Sequence, residues 1–295
     1  MFTSALIEAS SLGWGSPRIV GALLGAGVLI AFFVIAERLQ HRPMFDLGLF
    51  RNPSFVAAQI LSIAFSSIFV TLEVYLPLYF QGVRGYSALQ AGLVMASLTV
   101  PLFIMPILVS KLATRLPLRS ILSAGLVLMG VGLLWMGRSE AYVSGLVVTG
   151  IGAGTIIGLL DNLAVSVVPS QRSGMAAGIF NTMRFGGDAT GIAGAGAILF
   201  SLIQLRLLDL LRGTPAAAAG GRAAELVNSV TRGDIDGAAA SVPAVGREVF
   251  FQAATQAYIG AMHTVFIILA CISFASAVLA LALVRARDIV EEPTS

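Results

Sequence analysis

The sequence predicts an all-α polytopic membrane protein with about seven transmembrane helices. Composition is the first reason: 57% of the residues are hydrophobic and 11% charged, with a mean hydropathy of +0.91, whereas a soluble domain carries about 25% charged residues. The second is a series of apolar runs of spanning length, parted by breaks rich in charge, proline or glycine. Their limits are Arg18 to Ala36, Phe55 to Phe80, Ala88 to Val109, Ser120 to Met136, Tyr142 to Val168, Gly174 to Ile203 and Ala257 to Val284.

Basic residues supply the third reason, because short cytoplasmic loops are enriched in them. Alternate breaks hold Arg38, Arg42 and Arg51, then Lys111, Arg115 and Arg119, then Arg172, then Arg285 and Arg287. The opposite short breaks hold Arg18, Arg84 and Arg138. This bias places the C-terminus in the cytoplasm and the N-terminus outside, in a plasma (inner) membrane. The net charge of +3 therefore reports topology, and no nucleic-acid partner is expected. The chain divides into residues 1–52, a linker region with one span and a cytoplasmic loop; 53–284, a six-helix bundle; and 285–295, a cytoplasmic tail. Within the bundle, residues 204–255 mix alanine, glycine and charge and read as a flexible extracytoplasmic loop with a short surface helix at each end. The six helices from Phe55 onward are the number expected of one transporter half built from an inverted repeat. An odd number of spans leads us to expect that the chain starts partway through a larger protein.

The sixth span, GMAAGIFNTMRFGGDATGIAGAGAILF, is the most informative. It carries Asn181, Arg184 and Asp188 at the i, i+3, i+7 spacing of one helix face. Ten residues past Gly174, Arg184 lies ~15 Å into the membrane. An intramembrane arginine faces a bundle interior or a watery cavity and needs a partner. Asp188 at i+4 is the nearest in sequence, and Asp161 on the preceding helix is the other choice. The pair lines a cavity and binds substrate, or it is a structural bridge. Asp161 and Asn162 interrupt the apolar run TIIGLLDNLAVSVV; the carboxylate is placed to take up a proton, attract a cation or pair with Arg184. Glu73 is near enough to the outer end of its span to snorkel, with drug binding or proton release as the alternative.

Pro101 and Pro106 interrupt one span and are hinge candidates or packing kinks. Gly150, Gly154 and Gly158, like Gly187 and Gly191, recur every fourth residue and suit close helix packing in lipid. Phe65, Phe69, Tyr75 and Tyr79 read as a packing stripe. Chemistry of other classes finds no residues. Cys271 is the single cysteine, His41 and His263 are the two histidines, and Lys111 is the one lysine and lies in a loop. That set offers no metal-ligand motif, no Schiff-base lysine within a span and no catalytic constellation, so neither a metal, a cofactor nor an enzymatic activity is expected.

Three loop sequences, PMFDLGLFRNPSF, PLYFQGVRGYSALQAGL and VPSQRSGMAAGIFNTMRFGG, resemble the major facilitator superfamily, and more narrowly its fourteen-span drug:proton antiporters of the EmrB/QacA-like kind. The resemblance covers only that family's C-terminal half. It implies that the first span is a linker helix, that the N-terminal half is missing and must come from the same parent chain or a separate one, and that the function is proton-coupled efflux of hydrophobic or cationic drugs by alternating access. Non-transporting truncated fragment and self-pairing half-transporter are the alternatives. The resemblance also identifies SKLATRLPLRS as a degraded copy of the superfamily's basic loop motif: Ser110 and Pro117 stand where it has glycines, while Lys111, Arg115 and Arg119 keep its charge. Phe185 and Asp188 depart from the family pattern in the sixth span.

Overall fold

The computed structural model describes residues 47–211 and 223–285, with isolated helical positions between Pro17 and Ile35. Nine of the nineteen residues of the predicted first span, and the predicted tail beyond Arg285, therefore lie outside the described residues. Among the described residues the chain is helical and has no strand, and six helices are long and apolar enough to cross a membrane.

A 3-10 turn at Leu47–Arg51 leads into α1, Pro53–Gly82. Asn52 caps α1 by accepting from the backbone N–H groups of Ser54 and Phe55, and Pro53 occupies the first turn, where no N–H is needed. The Asn52 amide also donates to the Val167 carbonyl at 3.2 Å, tying the start of α1 to the end of α4. Helix α2, Ala88–Ala113, begins with a reciprocal capping box between Ser87 and Gln90 and continues through Pro101 and Pro106. Helix α3 is Leu118–Arg138 and α4 is Tyr142–Ser166. Helix α5, Ser173–Leu211, has 39 residues, a length of ~58 Å at 1.5 Å per residue, about twice a hydrocarbon core. The short α6, Ala223–Thr231, and α7, Ile235–Ala240, precede α8, Arg247–Leu283.

The described residues of segment 204–255 are thus more ordered than the composition predicts. Helix α5 runs eight residues past Ile203, and α8 starts at Arg247 rather than Ala257. Between them Val227, Val230, Ile235 and Val242 are buried in the same core as Phe250. The backbone turns at Gly233, with φ of +82°, and abuts Gly82 so closely that a Cβ there would strike the Gly233 carbonyl. Small residues read as flexibility are the means of close approach. These elements form a cap over one end of the bundle; the opposite end carries Arg51, Lys111, Arg115, Arg119, Arg172 and Arg285.

Glycines and hydroxyls set the helix contacts. Gly125 and Gly132 of α3 meet Gly152, Thr149 and Gly145 of α4, Gly150 and Gly154 pack on Leu98 and Leu102 of α2, and Gly187 and Gly191 pack on Ile63 and Ser67 of α1. Gly158 faces open space. Across α1 and α5, Ser67 donates to the Gly187 carbonyl at 2.8 Å and Tyr75 to the Ile192 carbonyl at 2.8 Å. Across α3 and α8, Ser273 donates to the Leu126 carbonyl at 2.7 Å and Ser123 to the Ala277 carbonyl at 3.1 Å. Helix α3 packs between α4 and α8, whereas α1 packs on α5 and α2 leans on α4. The polar residues of α1, α4 and α5 consequently share one side of the bundle.

Candidate transport path

That side is a wall carrying most of the charges found inside spans. On α5, Arg184 and Asp188 are half-buried and Asn181 is exposed; on α4, Asp161 and Asn162 are exposed; on α1, so is Glu73. Arg184 is the hub. Glu73 sits within electrostatic reach of both Asp188 and Arg184, and Asp161 within reach of Arg184. The expected ion pair does not form: among the described residues, neither Asp188 nor Asp161 lies within 4.0 Å of the guanidinium in a salt bridge. The i+4 spacing makes Asp188 a neighbour of Arg184 but does not make their tips meet. Glu73 also faces this cluster.

Beside Arg184 and Asp161 the wall dips into a crevice completed by Ser62, Phe65, Ile157, Leu160 and Phe180. It is no larger than a water site. The Ser62 hydroxyl is buried there with no hydrogen-bond partner, and one turn below it both polar atoms of the Gln59 amide are in the same position. Three carboxylates face one guanidinium, so the ionised wall carries a formal excess of negative charge.

Lys111, Arg115 and Arg119 are exposed around the α2–α3 turn. Among the described residues no group of three His, Cys, Asp or Glu side chains is arranged to hold a metal.

A second polar cluster, which sequence reasoning missed, lies at the capped end. The Tyr79 and Tyr142 hydroxyls are 3.0 Å apart, Arg84 Nε donates to Tyr79 at 2.8 Å, and Tyr142 reaches His263 Nε2 at 3.3 Å. Arg84 closes a salt bridge of 2.6 Å with Glu140 and lies 5.7 and 5.8 Å from the Tyr79 and Tyr142 ring centres. Tyr258 stacks on Tyr79 at 5.9 Å. Burial works against the Arg84 charge, but the hydrogen bonds to Glu140 and Tyr79 outweigh it and hold the group's pKa above its ordinary value. Glu140 is held below the usual carboxylate range by its hydrogen bond and attraction to Arg84. Nearby, Arg206 of the α5 extension donates to Thr264 at 3.0 Å across Gly260. The cluster joins α1, the α3–α4 turn, α4 and α8. The Tyr79–Tyr142 and Tyr142–His263 pairs are 63 and 121 residues apart, and no local sequence pattern links them.

Six apolar helices, glycine-packed around a one-sided polar wall, define a multi-pass membrane protein, and comparison with known proteins gives its class. A family model described as the Major Facilitator Superfamily matches residues 1–192. Multidrug resistance protein Stp of Mycobacterium tuberculosis is 33% identical over 209 residues, covering 69% of this chain and 39% of that protein. The drug efflux pump JefA of the same organism is 32% identical over 202 residues, covering 66% and 39%. A probable actinorhodin transporter of Streptomyces coelicolor is 28% identical over 211 residues, covering 67% and 36%. Among solved structures, a bacterial homologue of the human lysosomal transporter Spinster, inward-facing and unoccupied, superposes with a TM-score of 0.57 at 15% identity, covering 99% of this chain and 67% of that one. At that identity the likeness speaks for the fold alone. The chain belongs to the Major Facilitator Superfamily. It spans about two fifths of the length of these curated relatives.

Proposed function

We propose that the chain supplies one wall of an export path for hydrophobic or cationic drugs, moved by alternating access against a second, N-terminal half and exchanged for protons. The observation that carries this reading is the convergence of Arg184, Asp188, Glu73 and Asp161 on one open side of an otherwise apolar bundle. Charges left unpaired within a span are costly and serve an ion or substrate path. The negative excess favours cationic substrates, and the carboxylates Asp161, Asp188 and Glu73 are the groups able to carry a proton. Asn181 and Asn162 add neutral hydrogen-bonding positions. The drug-efflux relatives support the substrate class. In this reading Lys111, Arg115 and Arg119 face the cytoplasm with the C-terminus, and Pro101 and Pro106 are where α2 flexes during rocking.

A self-pairing half-transporter is the second reading. Helix α5 carries the observation that favours a protein partner, because the small residues Gly178, Thr182, Gly186 and Thr190, four apart along it, are all exposed and suit close helix approach in lipid. The experiment compares efflux of a fluorescent cation such as ethidium from pump-deficient cells expressing this chain alone or extended through any in-frame coding sequence upstream. Export by the extended form alone, lost when the proton gradient is collapsed, is the expected result. Export by the chain alone establishes self-pairing, and gradient-independent export overturns proton coupling.

A further inference from the structure

The back of the bundle holds a second feature that the transport path does not use. One face of α3 is packed: Gly130 against Phe274, Gly132 against Thr149 and Gly137 against Ile267. The other face carries Val131, Leu134, Trp135 and Arg138 at i, i+3, i+4 and i+7. With Ser139 these residues line an open groove of about 340 Å³. Val131 and Trp135 are 40% and 49% exposed, so the groove opens outward from the bundle, away from the wall formed by α1, α4 and α5.

Charge distinguishes this groove from an ordinary lipid-facing surface. Arg84, at the same end, is fully engaged by Glu140 and Tyr79. Arg138 is exposed and, among the described residues, makes no ion pair or hydrogen bond. Glu140, the nearest carboxylate in sequence, is already taken by Arg84, and the Ser139 hydroxyl turns back to the Trp135 carbonyl at 3.0 Å. A cation at a helix C-terminus complements the helix dipole, which accounts for a charge there but not for the apolar groove beside it. A second transmembrane helix is a poor occupant, because close helix approach in lipid needs small residues and this face presents four large ones.

We propose that this groove seats an anionic phospholipid, its phosphate on the Arg138 guanidinium and an acyl chain along Val131 and Leu134. The chemistry is complementary at each level: a guanidinium fork binds phosphate oxygens, an indole sits at the headgroup boundary, and branched aliphatic side chains contact the hydrocarbon.

Trp135 is a built-in reporter, since Trp14 is the other of the two tryptophans. The test uses the full chain with Trp14→Phe, reconstituted in bilayers that contain acyl-brominated phosphatidylglycerol or acyl-brominated phosphatidylcholine. Quenching of Trp135 is measured against lipid fraction. Phosphatidylglycerol is expected to associate about fivefold more strongly, the effect of one basic residue near anionic lipid. Arg138→Gln brings the two lipids to parity, and raising the salt concentration erodes the preference in the Arg138 protein itself. Coincident quenching curves in the Arg138 protein, or a preference unchanged in Arg138→Gln and at high salt, overturn the proposal. Relief of quenching by inorganic phosphate also overturns it, in favour of a simple anion site.

Discussion

Two polar regions of this bundle solve the same problem in opposite ways. At the capped end Arg84, Glu140, Tyr79, Tyr142 and His263 satisfy one another through bonds of 2.6 to 3.3 Å. On the wall, Arg184, Asp188, Asp161 and Glu73 are grouped but unbonded. Such a bonded network stabilises and rigidifies, although the buried hydroxyl of the neighbouring Tyr258 is left without a partner. Unbonded charges contribute little to stability and stay available to a ligand or proton. The difference teaches that charge within and beside the spans occurs both paired and unpaired, and the proposed function predicts that stability and transport are separable by mutation.

The largest test of that separation is Tyr79→Ala. It removes the ring stacked on Tyr258 and the hydroxyl at the centre of the network, and it is expected to cost about 3 to 5 kcal/mol, read as thermal unfolding of the purified protein. A wall substitution of similar effect would break the contrast. Packing gives a sharper pair. Gly187→Val drives a side chain into the Ile63 backbone of α1 and is expected to cost about 1 to 3 kcal/mol. Gly158→Val has open space before it and leaves unfolding nearly unchanged. Tyr142→Phe keeps the ring while removing the hydroxyl shared by Tyr79 and His263, for a loss of about 1 kcal/mol.

The smallest effect is a pH dependence. Glu140 has a folded pKa below its unfolded value, so its contribution is present above the unfolded carboxylate pKa and is lost as pH falls through the folded one. Glu140 is largely exposed, and solvent screens the pair. A small drop in melting temperature on acidification is expected, and it should be absent in Glu140→Gln.

Most of the fold was legible because a span of apolar residues leaves few alternatives in lipid. The predicted spans match Gly174–Ile203 of α5 and Ala257–Leu283 of α8, whereas the short surface helices expected at each end of the loop are continuous with those spans, extending α5 at its C-terminus and α8 at its N-terminus. Segments such as LRLLDLL and REVFFQAATQ interrupt the hydropathy with charge, yet remain helical because Leu207, Leu211 and Phe250 pack into the core. The cap was misread for a similar reason: Ala238, Ala239 and Gly233 are small enough to pack tightly, and composition does not separate tight packing from looseness. Arg184 and Asp161 stood out as charges in apolar runs. Their lack of a salt bridge did not, since spacing fixes which side chains are neighbours and not whether their tips meet. The Tyr79, Tyr142 and His263 network was illegible because three ordinary residues on three helices carry no local pattern. Nor did the sequence single out Ser62, whose exposed-looking chemistry is buried against Arg184.

The central claim is that the wall charges serve transport rather than folding, and Arg184→Ala tests it most directly. In the upstream-extended protein, ethidium efflux and melting temperature would be measured on the same preparation lineage. The account predicts that efflux falls roughly tenfold or more, the loss of one charged interaction, while membrane abundance and melting temperature stay near those of the parent. Normal efflux, or efflux and melting temperature falling together, would contradict it.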